Sequence, residues 1–498
     1  MLQTLKLPYG KIILVERIED GHFESPSGCY NTMPRFCRVV TEASMGEGSK
    51  VRIEVWMPEQ WNGIFIGHGN GGIAGRVMHH NLEPYIKNGY AIAQSDLGSS
   101  DGMERGVHNP ELWKDFGGRA NIVMTEVGKA VVNEYYGRTP QYSYFIGAST
   151  GGQQSFSVAQ RYPEAYDGII AGVPANNRLF LHIYTLWNKF HMHTKDGQKL
   201  FTEEDIYHIT ELATAFFQGK GDGEPGDHFV TFPYYGRSTV EDFLVYLREQ
   251  DTDFSEEQID ALRAVYNGPV NPVTKEQIYN GMPIGSEIYG GGMISAMGGD
   301  LNSNYPIRWA FGREYDARQF DYDKDLDALI QIIGKDLNAN QCDLSAFLEH
   351  GGKLIAYAGV SDPCVPYPDA IKYYNRVCKR MGGYDKVKDF YRFFLFPGKA
   401  HGDDGRGVNT IWNDAEGTNL VDALRSWREE GKAPEYLIAA HVEPKAALQV
   451  MCVGIDADRE AAIPFTTFQR KIYPYQADWK EGENFPVCCA DRYLGDKE

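Results

Sequence analysis

The chain has 498 residues, of which 42% are hydrophobic and 13% aromatic, and its formal net charge at pH 7 is −19. This length is too great for one simple core and predicts about two to four domains, and the hydrophobic fraction allows a large core to be buried. The acidic charge argues against nucleic acid and anionic membranes as partners, because both would repel the chain.

The N-terminal sequence lacks the apolar run of a signal peptide, and no stretch reaches the roughly 20 apolar residues of a membrane span. Eight cysteines are spread over the whole chain rather than forming a dense framework. We therefore expect a cytoplasmic protein with mostly free thiols. A shortened form of a secreted protein is the alternative.

Strand-like and helix-like runs alternate over residues 33–173. The hydrophobic patterns predict strands at 50–58, 62–72, 89–96 and 142–146, and an amphipathic helix at 121–137. The second of these strands ends in a glycine-rich loop, GHGNGGIAG. Alternation of this kind is typical of a largely parallel sheet.

The sequence GASTG places Ser149 between Gly147 and Gly151, where the strand at 142–146 ends and a helical pattern at 153–162 follows. This is the G-x-S-x-G pattern of a nucleophile elbow, in which a sharp strand-to-helix turn exposes the serine hydroxyl. The helix N-terminus and the Thr150 N–H would then point to where a negative oxygen develops. The pattern predicts that Ser149 is a nucleophile.

The pattern changes to helix-rich, aromatic sequence over 177–341 and then returns to strands at 351–359 and 388–398, with a helix at 367–381 between them. We interpret this as an α/β-hydrolase fold with a mostly parallel central sheet, interrupted by a large inserted lid. The predicted division is 1–176 and 342–498 for the two parts of the catalytic domain and 177–341 for the lid.

In α/β-hydrolases the acid and the histidine follow the serine in that order, in loops after strands. Asp362 follows the predicted strand at 351–359, and His401 follows the one at 388–398. His401 would take the proton of Ser149 and return it to the leaving group, while Asp362 would fix the imidazole tautomer. For the second oxyanion donor beside Thr150 we expect the N–H of Gly72, with Gly71 as the alternative.

Seven separated blocks, in order, resemble the tannase and feruloyl esterase family over about 34–475. They are MPRFCRV, VWMPEQWNGIFIGHGNGGIAG, SYFIGASTGGQQ, AQRYPEAYDGIIAGVPA, DLSAFLEHGGKLIAYAGVSDP, FYRFFLFPGKAHG and LRSWREEGKAP. The resemblance implies an α/β-hydrolase core, a large lid over the active site, and hydrolysis of esters of aromatic carboxylic acids. The serine, aspartate and histidine of the family fall on Ser149, Asp362 and His401.

The sequence departs from the family at two places. Family members typically carry a disulfide between the residue before the serine and the residue after the histidine, and here those positions are Ala148 and Gly402. Many members also bind calcium in the lid. The nearest match, GKGDGEPGDHFV, offers only Asp222 and Asp227, whereas calcium takes about six to eight oxygen ligands. We expect no cofactor, with a calcium ion in the lid as the less favoured alternative to a solvated turn.

We therefore predict a serine carboxylic-ester hydrolase acting on a small aromatic ester, such as a feruloyl or galloyl ester, through an acyl-enzyme. An acyltransferase, an amide or C–C hydrolase with the same triad, and a non-catalytic binding protein are the alternatives. The aromatic residues of the lid are candidates either for stacking on a phenolic ring or for the lid core. They include Tyr184, Trp187, Phe190, Tyr279, Tyr289 and Trp309.

Two further groups of lid residues have weaker functional interpretations. Arg308 or Arg313 is a candidate to pair with a substrate carboxylate, although surface ion pairing is the simpler expectation. His191 and His193 could ligate a metal, but the sequence supplies no convincing third ligand.

Overall fold

The computed structural model describes residues 2–25, 28–231, 237–250, 253–300, 304–412, 419–443, 465–476 and 487–492. Three sheets share fourteen strands in these ranges. They are β1 Gly10–Ile18, β2 Phe23–Ser25, β3 Gly28–Tyr30, β4 Phe36–Ala43, β5 Val51–Pro58, β6 Ile64–His68, β7 Ala91–Ser95, β8 Tyr142–Ala148, β9 Gly168–Gly172, β10 Lys353–Gly359, β11 Tyr391–Phe396, β12 Thr410–Trp412, β13 Leu437–Val442 and β14 Thr466–Ile472.

Nine strands form the central sheet in the order β1-β4-β5-β7-β6-β8-β9-β10-β11. Six of them, from β7 to β11 in that order, run parallel, and the remaining three pair antiparallel at one edge. The mostly parallel sheet predicted from the sequence is thereby confirmed. Strand β1 lay outside the predicted elements because its apolar residues run consecutively from Ile12 to Val15, without the alternation that marks a half-buried strand.

The helices differ widely in length, from single turns to seventeen residues. They are α1 His79–Lys87, α2 Pro110–Lys114, α3 Ala120–Tyr136, α4 Thr150–Arg161, α5 Arg178–His191, α6 Glu203–Gly219, α7 Arg237–Glu249, α8 Glu256–Asn267, α9 Met293–Ala296, α10 Tyr305–Phe311, α11 Lys324–Leu329, α12 Lys335–Leu337, α13 Ser345–Glu349, α14 Tyr367–Met381, α15 Tyr384–Val387, α16 Leu420–Glu430 and α17 Cys489–Arg492. None of the helices in the described ranges is both long and apolar enough to cross a bilayer.

Apolar side chains cover both faces of the central sheet. On one face the buried residues of α3, α4 and α14 form a single cluster with the sheet, and on the other face α1 and α16 do the same. Helices on both faces of a largely parallel sheet define a three-layer α/β architecture. This packing fixes the carboxyl ends of β6, β8, β10 and β11, where the loops carrying the candidate site begin.

The segment 177–341, which we call the lid segment, lies between β9 and β10 and contains α5 to α12. Most of its buried apolar side chains belong to the same cluster as α3 and α4, so this segment is packed onto the sheet by a continuous core. The domain boundaries proposed from the sequence stay predictions.

A buried carboxylate holds the antiparallel edge of the sheet. Glu54 of β5 lies 2.8 Å from Arg38 of β4 and 3.3 Å from His79 of α1. Burial alone would raise the pKa of Glu54, but the hydrogen bonds from His79 and Arg38 hold this pKa well below its ordinary value. The pair therefore ties α1 to the edge strands.

Candidate active site

Ser149 occupies the turn between β8 and α4. Its backbone angles are φ 61° and ψ −117°, a conformation that costs a non-glycine residue about 1–3 kcal/mol and that functional sites often carry. The turn is tight, since a Cβ on Gly147 would overlap the backbone of Gly151. The structure thus has the elbow geometry that the GASTG sequence predicts.

The helix after the elbow begins earlier than the sequence pattern indicates. It starts at Thr150, directly after Ser149, rather than at 153. The reason is tertiary packing: a Cβ on Gly69 would lie 2.6 Å from Gly151 Cα, and a Cβ on Gly152 would lie 2.6 Å from the Gly172 carbonyl oxygen. These contacts outweigh the poor helix propensity of two consecutive glycines.

The structure brings Ser149, His401 and Asp362 together in one hydrogen-bonded chain. Ser149 Oγ lies 2.8 Å from His401 Nε2, and His401 Nδ1 lies 2.7 Å from Asp362 Oδ2. Asp362 is fully buried, while the other two side chains are slightly exposed. These distances allow a proton to pass from the serine hydroxyl to the imidazole.

The second oxygen of Asp362 is held independently of the histidine. Asp362 Oδ1 accepts hydrogen bonds from the backbone N–H groups of Cys364 at 2.8 Å and Val365 at 2.9 Å. The carboxylate therefore cannot rotate without losing two hydrogen bonds. Burial and the nearby Asp362 raise the pKa of the Cys364 thiol to about 12, so this thiol is protonated at neutral pH and does not compete as a nucleophile.

Two backbone N–H groups beside Ser149 have no acceptor among the described residues, those of Thr150 and Gly72. Gly72 has φ +59° and open space where a Cβ would stand. The alternative donor, Gly71, already donates its N–H to Met78 Sδ at 3.3 Å. The geometry favours Gly72 over Gly71, and both oxyanion residues stay predictions.

Sequence reasoning missed Arg178, the first residue of α5. Its guanidinium donates to Thr150 Oγ1 at 2.6 Å, to the Gly72 carbonyl at 2.9 Å and to the Tyr305 hydroxyl at 2.7 Å. Arg178 is 5% exposed. No local pattern marks such a residue, because its partners lie far away in the sequence.

Hydrogen bonds fasten the loop that carries His401. Lys399 Nζ donates to the Gly402 carbonyl at 2.9 Å, and Asp404 Oδ2 accepts from the N–H of Gly290 in the lid segment at 2.7 Å. The seven cysteines in the described residues form no disulfide. Cys452 lies outside the described residues.

Most of the candidate aromatic residues of the lid segment are buried. Tyr184, Tyr279, Tyr289 and Trp309 are each at most 3% exposed. Tyr184 donates its hydroxyl to the Pro363 carbonyl at 2.7 Å, next to Asp362. Burial at this level assigns these four residues to the packing of the lid, whereas Trp187 and Phe190 are half-buried.

The charged candidates of the lid segment are engaged within the protein. Arg308 and Arg313 both bind the carboxylate of Glu104, at 3.1 Å and 3.0 Å. His191 Nδ1 and His193 Nδ1 each lie within hydrogen-bond distance of a backbone carbonyl one turn earlier in the chain. Surface ion pairing, the simpler expectation for the arginines, describes their contacts.

The residues of the GKGDGEPGDHFV loop do not fit calcium. The guanidinium of Arg470 in β14 binds both carboxylate oxygens of Asp227, and Asp222 accepts from the N–H of Thr231 at 2.6 Å. The described part of the chain contains no cluster of three or more His, Cys, Asp or Glu side chains suited to a metal. The Arg470 guanidinium therefore already occupies the carboxylate oxygens of Asp227 that calcium would need as ligands.

The fold and the elbow define an α/β-hydrolase. Comparison with known proteins is more specific, since the profile described as "Tannase and feruloyl esterase" matches residues 37–304 and 309–491. The chain belongs to that family and is a carboxylic ester hydrolase acting on a small-molecule ester.

Two curated relatives and two solved structures illustrate the likeness. The chain is 30% identical to a probable feruloyl esterase of Arthroderma benhamiae over 88% of this chain and 85% of the relative. It is 29% identical to an uncharacterized esterase of Xanthomonas campestris pv. campestris over 88% and 83%.

Among solved structures, feruloyl esterase B from Aspergillus oryzae superposes with a TM-score of 0.79, 21% identity and 95% coverage of both chains. Tannin acyl hydrolase from Aspergillus niger gives 0.71 and 18%, covering 98% of this chain and 94% of its own. At these identities the structural likeness establishes the fold.

Proposed function

We propose that this protein is a serine esterase that hydrolyses esters of phenolic aromatic acids, such as feruloyl or galloyl esters. Ser149 is its nucleophile, His401 its general base and acid, and Asp362 the residue that orients the imidazole. The observation that carries the proposal is the hydrogen-bonded chain from Ser149 Oγ through His401 to the buried Asp362 carboxylate. The aromatic acyl group is inferred from the family and from relatives named as feruloyl esterases.

The reaction runs in two acyl-transfer steps. His401 Nε2 takes the Ser149 proton as Oγ attacks the ester carbonyl, and Asp362 stabilises the imidazolium that forms. The N–H groups of Thr150 and Gly72 bind the tetrahedral oxyanion. The alcohol leaves with the proton from His401, and water activated by the same nitrogen then releases the acid.

The test is hydrolysis of a small panel: methyl gallate, methyl ferulate, chlorogenate and a 4-nitrophenyl ester. Ser149→Ala is the inactive variant. Ser155→Ala is the matched control, because Ser155 is a buried serine of the adjoining helix α4 whose hydroxyl bonds the backbone carbonyls of Gly151 and Ile170. Turnover of an aromatic ester that is lost in Ser149→Ala but kept in Ser155→Ala supports the proposal.

Activity that survives Ser149→Ala would overturn the assignment of the nucleophile. Turnover of the 4-nitrophenyl ester alone, with none of the phenolic esters accepted, would overturn the assigned acyl group and leave the triad in place.

A further inference from the structure

Arg178 is a buried cation whose hydrogen bonds converge on the two candidate oxyanion donors. One guanidinium nitrogen binds the side chain of Thr150, and another binds the carbonyl of Gly72. The Thr150 hydroxyl also donates to the same Gly72 carbonyl. Arginine, threonine and glycine thus form a closed triangle of hydrogen bonds directly behind the elbow.

This triangle of hydrogen bonds holds the Thr150 side chain and the Gly72 carbonyl in place. The Thr150 hydroxyl uses its single proton on Gly72 and accepts from Arg178, and the Gly72 carbonyl accepts from both. Gly72 sits in a glycine loop at φ +59° with no side chain of its own to hold it. Its conformation therefore depends on the groups that bind its carbonyl.

The charge of Arg178 is not neutralised by a neighbour. Among the described residues no carboxylate pairs with it, and its remaining contacts are the hydroxyl of Tyr305 and the ring faces of Phe116 and Tyr305. Burying an unpaired cation is costly. The cost is understandable where negative charge develops on a reacting oxygen nearby, since a fixed cation in a dry site favours that state.

We propose that Arg178 is the positioning residue of the oxyanion site. It holds Gly72 and Thr150 in fixed relative positions before substrate binds, and its guanidinium lies close to the site where the oxyanion forms. Because Arg178 itself belongs to the lid segment, its bonds to Thr150 and Gly72 fasten that segment to this site. The proposal rests on the function proposed above and adds a residue to it.

The test compares Arg178→Met with Arg161→Met. Arg161 is the matched control, since among the described residues it too has no carboxylate partner. Its guanidinium donates to the backbone carbonyls of Gly117, Lys335 and Asn338. For Arg178→Met we expect kcat to fall about 100-fold, the lower end of the loss of an oxyanion donor. We expect KM to stay within about threefold, because the lost interaction is made in the transition state.

Two readouts separate positioning from general destabilisation. The inhibition constant of an aryl boronic acid, which forms a tetrahedral adduct on the serine, should rise in Arg178→Met by about the same factor as kcat falls. Arg178→Lys should recover part of kcat, because it restores the cation without the planar fork. Arg161→Met should lower the melting temperature and leave kcat and boronate affinity unchanged.

The proposal is overturned if Arg178→Met keeps wild-type kcat, or if it raises KM alone. Should Arg178→Met fail to fold, Thr150→Val removes both hydrogen bonds of the Thr150 hydroxyl, to Arg178 and to Gly72, in an isosteric side chain. An unchanged kcat and an unchanged boronate affinity in that variant would overturn the proposal equally. Failure of the underlying function looks different, since the wild type would then be inactive on the panel or Ser149→Ala would be active.

Discussion

The replacement of Asp362 by asparagine has an outcome that the geometry dictates. In the wild type one oxygen of Asp362 accepts from two backbone N–H groups and the other faces His401 Nδ1. In Asp362→Asn the amide oxygen must face the two backbone N–H groups, because the amide NH₂ is a donor and cannot accept their hydrogen bonds. The NH₂ group then faces His401 Nδ1 and donates to it.

This orientation forces the wrong imidazole tautomer. With Nδ1 accepting, the ring proton sits on Nε2 and points at Ser149 Oγ, so the imidazole cannot take the serine proton. Loss of the base by this route lowers kcat by about 10⁴-fold, which corresponds to about 5.4 kcal/mol in activation free energy. Substrate contacts are unchanged, so KM should move little.

The assay is steady-state hydrolysis of methyl ferulate by Asp362→Asn, with Asp369→Asn as the matched control. Asp369 is another buried aspartate, and its Oδ1 accepts a hydrogen bond from the Asn177 side chain at 3.2 Å rather than from a member of the triad. Asp369→Asn should keep kcat within about twofold of wild type. An Asp362→Asn enzyme within about tenfold of wild-type kcat would refute the tautomer argument.

Three further predictions follow from contacts described above. Because the pKa of Glu54 is lowered in the folded state, Glu54 contributes to stability above its unfolded pKa of about 4.3, and this contribution is lost as pH falls through the folded pKa. In Glu54→Gln the free energy of unfolding should therefore fall less steeply with decreasing pH in the acid range. An unchanged slope would contradict this. Gly147→Ala should cost about 2 kcal/mol or more, measured by denaturant unfolding, because its methyl group overlaps the backbone of Gly151; a neutral effect would show that the elbow is looser than described. Arg470→Met should destabilise the fold by about 1–2 kcal/mol by leaving Asp227 without its cation. EDTA, in contrast, should leave the wild-type melting temperature unchanged. A drop of several degrees with EDTA would reveal a metal.

The candidate triad could be predicted because each member has a local signature. Ser149 lies in a glycine pattern between a strand and a helix, and Asp362 and His401 each follow an apolar run that becomes a buried strand. The helix at 367–381 was predicted to the residue, since its apolar positions repeat at helical spacing and a glycine follows. A local sequence pattern is enough to predict a feature when that feature depends on one helix, strand or turn.

Features decided by distant contacts could not be predicted in this way. Arg178 lies 28 residues from Thr150 and 106 from Gly72 in the chain, and its own neighbourhood reads as an ordinary helix start. The helical start at Thr150 depends on backbone packing against Gly69, which no propensity reports. Strand β1 is visible only through its pairing with β4.

The most direct test of the central claim is to trap the acyl-enzyme. A 4-nitrophenyl ferulate reaction is quenched with acid within the first turnover, the protein is digested, and the peptides are analysed by mass spectrometry. We predict one feruloyl ester, on Ser149, in the wild type and none in Ser149→Ala. Steady turnover without any adduct, or an adduct on another residue, would contradict the proposed mechanism.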